Sequence, residues 1–291
     1  MDRVCVPIPG AFNALVGLAA RDAGFEALYV SGGATSAAAG VPDVGLLGLE
    51  HFTRLIRELA DAAGLPILAD ADTGFGEAEM TRRVVVEYAR AGAAGLHIED
   101  QVFPKRCGHL DGKRLVEIDH FCEKIAWASG AAAEIGDGQL VVCARTDAAG
   151  VEGIEAAIDR ARAYTEAGAS MIFPEGLRSE EEFARFAEAM RTIPGPDPRG
   201  GPYLLANMTE FGKTPVLPLS SFERMGYSCV IYPVSMLRVA MGAVSAALTA
   251  LHREGTVAGF MDRMQTRQEL YGLLGYTPGE PWTFPGRGDP Q

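Results

Sequence analysis

Short apolar runs alternate with helical stretches along nearly the whole chain. Eight runs read as strands, at residues 4–8, 27–30, 66–69, 95–98, 140–144, 170–173, 203–206 and 229–232. Between them, apolar positions recur at helical spacing over 11–23, 49–63, 77–91, 151–167 and 180–190. Four of these stretches stop at a glycine, Gly24, Gly64, Gly92 or Gly168, where the left-handed conformation that ends a helix costs least. Strands that are apolar almost without interruption are covered on both faces, which requires a parallel sheet. Eight strand–helix units predict an α/β fold closed as a (β/α)8 TIM barrel rather than an open doubly wound sheet. Two more helical segments follow, 235–254 and 257–274. The first is Ala-, Val- and Met-rich on nearly every side, so it is expected to be buried, against a second subunit. A Pro/Gly loop at 194–202 and a Pro/Gly-rich tail at 278–291 punctuate what is expected to be one domain over 1–291, a barrel with a C-terminal helical extension.

Composition narrows the partners. A net charge of −12 disfavours nucleic acid and anionic membranes, which need a basic surface, but leaves a small anionic substrate open. Five cysteines without a CxxC pair predict free thiols in a reducing compartment. Nothing at the start of the chain reads as a signal peptide, and the apolar stretch 239–251 falls short of the roughly 20 residues that span a bilayer. A cytoplasmic protein without a membrane partner is expected.

Chemistry in such a barrel gathers where the strands end. Strand 2 ends in Tyr29-Val30-Ser31-Gly32-Gly33, whose hydroxyl and amides can wrap a carboxylate, although an ordinary turn has the same composition. Strand 3 ends in Asp70-Ala71-Asp72; residues i and i+2 share a face, and two close carboxylates call for a cation between them. Glu99 and Asp100 add acids after strand 4. An all-oxygen set favours Mg²⁺, or Mn²⁺, over Zn²⁺. Lys105, Arg106, Cys107, Gly108 and His109 follow, then Lys113 and Arg114. A thiol among these cations is expected to have a lowered pKa suited to proton transfer, and the surrounding glycines suggest a mobile lid. Arg145, Glu175, Asn207 and Thr209 close later strands, and Arg238 opens the helix after strand 8. A metal, several carboxylate-binding donors and one activated thiol suit enolate chemistry on a polycarboxylate.

In order along the chain stand YVSGG (29–33), GVPDVG (40–45), LADADTGFG (68–76), GLHIEDQ (95–101), KRCGH (105–109), ARTDA (144–148), FPE (173–175), NMTEFG (207–212) and QTRQELY (265–271). Together they resemble the isocitrate lyase / phosphoenolpyruvate mutase superfamily over nearly the whole chain, and NMTEFG and QTRQELY look most like its methylisocitrate lyases. The resemblance implies a carbon–carbon lyase yielding pyruvate and succinate. LDGKR (110–114) also matches the carboxyphosphonoenolpyruvate phosphonomutases, and dimethylmalate lyases and oxaloacetate decarboxylases are near relatives. By resemblance, Asp70 and Asp72 hold Mg²⁺ with Glu99 acting through water, and Ser31, Gly32, Gly33 and Gly108 bind substrate. Arg145, Glu175 and Asn207 grip the pyruvate half, Thr209 and Arg238 hold the succinate half, and Arg267 reaches in from the late helix. Cys107 protonates the succinate enediolate, with Lys105 and His109 beside the developing charge, and Tyr29 or Asp43 is the base. Phe173 is the apolar wall for a substrate methyl. The resemblance further implies a homotetramer that exchanges a late helix.

Overall fold

The computed structural model describes residues 5–106, 108, 110, 112–135 and 139–283. Eight parallel strands form one sheet: β1 (Val6–Pro9), β2 (Leu28–Val30), β3 (Ile67–Asp70), β4 (Gly95–Glu99), β5 (Val141–Thr146), β6 (Met171–Pro174), β7 (Tyr203–Asn207) and β8 (Cys229–Tyr232). Their order is β1-β8-β7-β6-β5-β4-β3-β2. The ring is closed between β1 and β2 by a bridge from Gly10 to Tyr29, with the Ala11 amide donating to the Tyr29 carbonyl at 2.9 Å. The expected (β/α)8 barrel is present with all eight strands. Several strands run past their expected ends because the ladder continues into the polar residues: Asp70 pairs with His97, and Glu99 with Arg145.

Helices α1 (Ala14–Asp22), α2 (Gly32–Ala38), α3 (Leu49–Ala63), α4 (Ala78–Ala91), α5 (Ile118–Ile135), α6 (Ile154–Glu166), α7 (Glu180–Met190), α8 (Leu219–Met225), α9 (Ser235–Glu254) and α10 (Arg267–Leu273) complete the chain. In α3 the buried side chains Leu49, Phe52, Ile56, Leu59 and Ala63 repeat every three or four residues, and Gly64 ends the helix at φ 65°. Ser179 caps α7, accepting from the Glu182 amide at 3.2 Å, and three glutamates fill its first turn, where the helix dipole is positive.

Two apolar layers result. Ile8, Leu68, Cys143, Met171, Leu205 and Cys229 fill the barrel. Phe52, Tyr88, Phe121, Tyr164 and Phe183 pack outside it under the helices. Burial pushes the Cys143 thiol well above its usual range, which leaves it an inert core residue.

Two expectations at the C-terminal end need correction. The stretch 257–274 is not one helix: a 3₁₀ segment, Ala258–Arg263, precedes α10. The break comes at Thr266, whose hydroxyl accepts from the Glu269 amide at 3.2 Å while the Glu269 carboxylate takes the Thr266 amide at 2.6 Å. This capping box starts a helix afresh. The apolar segment before it is a 20-residue helix with a window of mean hydropathy 1.2, long and apolar enough by composition to cross a bilayer, contrary to the shorter stretch read from sequence. None of α9 is buried within this chain, and Val239 and Leu248 are among its exposed side chains.

Candidate active site

Alternation along β4 sorts its polar residues. His97 and Glu99 point into the barrel mouth, whereas Asp100 turns outward and accepts from Thr146 Oγ1 at 2.8 Å, the Asp147 amide at 2.9 Å and the Tyr164 hydroxyl at 2.8 Å. Asp100 is therefore not a fourth acid of the mouth. Burial and then Asp147 push its carboxyl up to about 6.

Asp70 and Asp72 meet as expected, but not as neighbours on a strand face: β3 ends at Asp70, and Asp72 follows in a turn at φ 45°. Asp70 Oδ1 accepts the Asp72 amide at 2.9 Å, and Oδ2 accepts the Gly32 amide at 3.0 Å. The Gly32 N–H thus serves an acid of the site rather than the open mouth, and a Cβ at this position would lie 2.6 Å from Asp70 Oδ2. Ser31 caps α2. The Lys105 ammonium is buried between the acids, 2.7 Å from Asp72 Oδ1 and bonded to Asp43 Oδ1. Burial opposes its charge, but Glu99, Asp70, Asp72 and Asp43 outweigh that and raise its pKa. Burial, then Asp70, pushes Asp72 up to about 6. Glu99 is driven well above the carboxylate range by burial, which Arg145 and Lys105 only partly offset.

Arg145 organises the opposite wall. Its guanidinium stands 3.2 Å from Glu99, 3.0 Å from Asp147 and 3.8 Å from Glu175, and 5.3 Å from the centroid of Phe173. Asn207 donates to Glu175 at 3.0 Å. Lys113 binds Asp147 at 2.8 Å and also the Gly108 carbonyl. The Tyr29 hydroxyl lies 2.7 Å from His97 Nε2. Burial lowers the His97 pKa to about 4, and burial, then Asp70, pushes the Tyr29 phenol well above its ordinary range, so both groups are neutral and share a hydrogen bond.

A cavity of about 350 Å³ opens onto Tyr29, Ser31, Gly33, Asp43, Asp70, Gly108, Arg145, Phe173, Glu175, Asn207, Thr209 and Arg238. Asp72, Glu99 and Lys105 stand directly behind it. Arg238 is half-exposed at its rim, donating to the Glu210 carbonyl at 2.8 Å. Cys107 and His109 lie outside the described residues. Arg267 does not join the cavity; it is exposed on α10, which packs on α1. His97 went unread in the sequence although GLHIED places a histidine one pleat before Glu99, and the anchoring of Arg145 by Asp147 was legible only as the adjacent ARTDA.

Among the described residues no three His, Cys, Asp or Glu side chains form a ready metal site. The donors nonetheless fit a hard divalent ion. Both Glu99 oxygens are buried without a hydrogen bond among the described residues, with Asp72 paired to the Lys105 ammonium and Glu99 to the Arg145 guanidinium.

The family model described as phosphoenolpyruvate phosphomutase matches residues 2–252. The chain belongs to the phosphoenolpyruvate mutase/isocitrate lyase family. It is 51% identical over 269 residues to a probable 2-methylisocitrate lyase of Corynebacterium glutamicum, covering 92% of this chain and 84% of that one. A crystal structure of 2,3-dimethylmalate lyase superposes with a TM-score of 0.85 at 35% identity, over 94% of this chain and 88% of the other. A phosphonopyruvate hydrolase solved with oxalate and Mg²⁺ gives 0.80 at 31% identity, over 93% and 90%.

Proposed function

We propose that this family member is a Mg²⁺-dependent carbon–carbon lyase that cleaves 2-methylisocitrate to pyruvate and succinate. The observation that carries the reading is the buried cluster of Asp70, Asp72 and Glu99, joined to Arg145 by a 3.2 Å ion pair at Glu99, behind a cavity that Asp70 and Arg145 both line. The half-identical lyase relative supplies the substrate. Asp70 and Asp72 would hold the ion, with Glu99 behind them; when bound, it polarises the keto group formed on cleavage. Mn²⁺ suits the same oxygens.

The chain's own residues do the rest. Arg145, anchored by Asp147, offers a fixed guanidinium to a substrate carboxylate, with the Ser31–Gly33 turn opposite. Glu175 and Asn207 orient the pyruvate half, and Thr209 and Arg238 the succinate half. Burial pushes the Tyr29 phenol well above its ordinary range and keeps His97 neutral, so Tyr29, fixed 2.7 Å from His97, holds the substrate hydroxyl as a hydrogen-bond partner, and the Asp43 carboxylate lining the same cavity serves as the base. Asp43 is also tied to Lys105 and holds that ammonium beside the acids. Gly108 lines the cavity, which supports its neighbour Cys107 as the donor that protonates the succinate carbon, with His109 assisting. Phe173 faces the cavity as the wall for the substrate methyl.

The exposed apolar side of α9 is read as a subunit contact in a homotetramer, with Arg267 acting only in that assembly. Residues 1–291 are taken as a single domain, and the free thiols Cys5, Cys122, Cys143 and Cys229 suit the cytoplasm. The test is a panel of 2-methylisocitrate, 2,3-dimethylmalate, isocitrate and oxaloacetate with Mg²⁺ or chelator, scored by coupled pyruvate detection. Fastest pyruvate release from 2-methylisocitrate, abolished by chelator, is expected. No release from it would overturn the proposal.

A further inference from the structure

The turn that carries Asp72 is strained and borders an open cavity on one side. Asp72 and Phe75 both have left-handed backbones, at φ 45° and 55°, with Gly74 at 88° between them. Each such non-glycine residue costs on the order of 1–3 kcal/mol and persists only where its surroundings hold it. Behind the turn lies a cavity of about 670 Å³, larger than the one at the mouth and lined by Thr73, Phe75, Gly76 and Met80. Asp72 and Thr73 are buried and Phe75 packs against Phe52, so packing holds the inner side of this loop while its outer side borders the cavity. On its strand side it is tied by the Glu99 amide to the Asp72 carbonyl at 2.9 Å, and internally by the Gly74 amide to the Ala71 carbonyl at 2.8 Å. On the open side Lys124, buried, reaches across from α5 and donates from Nζ to the Thr73 carbonyl at 2.6 Å.

We infer that Lys124 is a positioning residue for the metal-binding carboxylates, a strut that holds the Asp72-Thr73-Gly74 turn in its left-handed form so that the Asp72 carboxylate faces Asp70. Its ammonium lies in a site that opposes its charge, because burial draws its pKa down and Glu77 only partly restores it. A lysine retained there in spite of that penalty, with its donor on the residue after Asp72, is placed to set the turn rather than to fill space. Without it the Thr73 carbonyl loses its partner and the turn can relax into the cavity, rotating Asp72 away. Lys124 touches neither the mouth nor the acids, so its effect passes through the backbone.

This inference rests on the metal reading above, and the experiment separates the two. Mg²⁺ and Mn²⁺ are titrated calorimetrically into full-length wild-type, Lys124→Met, Lys124→Gln and Lys124→Arg protein, and melting is followed in chelator and in saturating Mg²⁺. Methionine keeps the volume without the donor; glutamine keeps polarity but falls short of the carbonyl, and serves if the methionine variant does not fold. Both are expected to weaken ion binding at least tenfold and to shrink the Mg²⁺-induced rise in Tm, while Lys124→Arg, which retains a donor, stays nearer wild type. A purely structural lysine would lower both melting temperatures equally and leave the dissociation constants alone, and that result would overturn the inference. Wild-type protein that takes up neither ion would overturn the metal reading, and this inference with it.

Discussion

Gly32→Ala tests the site at its tightest point. The added methyl would sit 2.6 Å from Asp70 Oδ2, 3.1 Å from its Cγ and 3.4 Å from Asp72 Oδ1. Restoring an ordinary contact of about 3.5–4 Å requires the carboxylate to retreat by roughly 1 Å. Asp70 is buried and fixed through Oδ1 to the Asp72 amide, so the retreat breaks or lengthens the 3.0 Å bond from the Gly32 amide. A hydrogen bond to a charged acceptor is worth about 1.5–3 kcal/mol, and a misplacement of about 1 Å at a reacting centre costs on the order of 100-fold in rate. The helix itself pulls the other way: alanine is favoured over glycine in a helix interior by up to about 1 kcal/mol, and less at the first turn of α2. Near-native unfolding stability in chelator, an Mg²⁺ dissociation constant raised about tenfold and kcat/KM lowered about 100-fold are expected. Calorimetric titration, the pyruvate-coupled assay and urea denaturation measure the three. Gly33→Ala is the matched comparison, because its methyl would meet Asp43 Oδ2 at 3.5 Å, an ordinary contact, and its ion affinity should stay near wild type. Wild-type ion affinity and turnover in Gly32→Ala would refute the steric reasoning and free Asp70 from its assigned place.

Two further perturbations address the rest of the molecule. Asp197 accepts from Arg199 Nη2 at 2.6 Å and Ser228 Oγ at 2.9 Å, and although burial opposes its charge these donors hold its pKa below the ordinary value. Its contribution is therefore present above the unfolded pKa near 3.9 and lost as pH falls through the lower folded value; Asp197→Asn should cost about 1.5–3 kcal/mol by urea denaturation at pH 7 and progressively less at pH 3. A gap independent of pH would contradict that assignment. Charging α9 with Val239→Glu and Leu248→Glu, at positions 70% and 60% exposed in the single chain, should lower the mass measured by light scattering without lowering monomer stability. An unchanged mass would remove α9 from the subunit contact.

The barrel was legible because its signal is redundant: eight apolar runs and four terminating glycines, Gly24, Gly64, Gly92 and Gly168, all of which adopt positive φ. The sequence reads the Asp70–Asp72 pair as two residues on one strand face; the pair does meet, but through a turn, because β3 ends at Asp70 and Asp72 has φ 45° with its amide donating to Asp70 Oδ1. Asp100 was misjudged because strand residues alternate in facing, and its neighbour Glu99 had already taken the inward side. What stayed hidden are contacts between distant segments. Lys124 is an unremarkable charge in an amphipathic helix until α5 is laid against the Asp72 turn, and no spacing connects residue 124 to residue 73. Lys105 read as one of several loop cations; its burial between Asp43 and Asp72 depends on three separate loops meeting. The split at Thr266 was visible as a Thr followed three residues later by Glu269, a pattern outweighed by the apolar periodicity on either side.

The joint between β1 and β2 has a consequence for how the barrel breathes. Every other neighbouring pair shares a ladder of at least two residue pairs, but this one is a single bridge at Gly10 and Tyr29. A methyl at Gly10 would lie 2.1 Å from the Pro233 carbonyl, so the seam cannot be filled out with side chains. Amides there have the fewest partners to protect them and are the first to exchange with solvent when the ring loosens. Because the phenol that meets His97 hangs from the same residue, any gap at the seam also unseats that hydrogen bond, and loss of barrel closure and disorder of the cavity wall begin at one point.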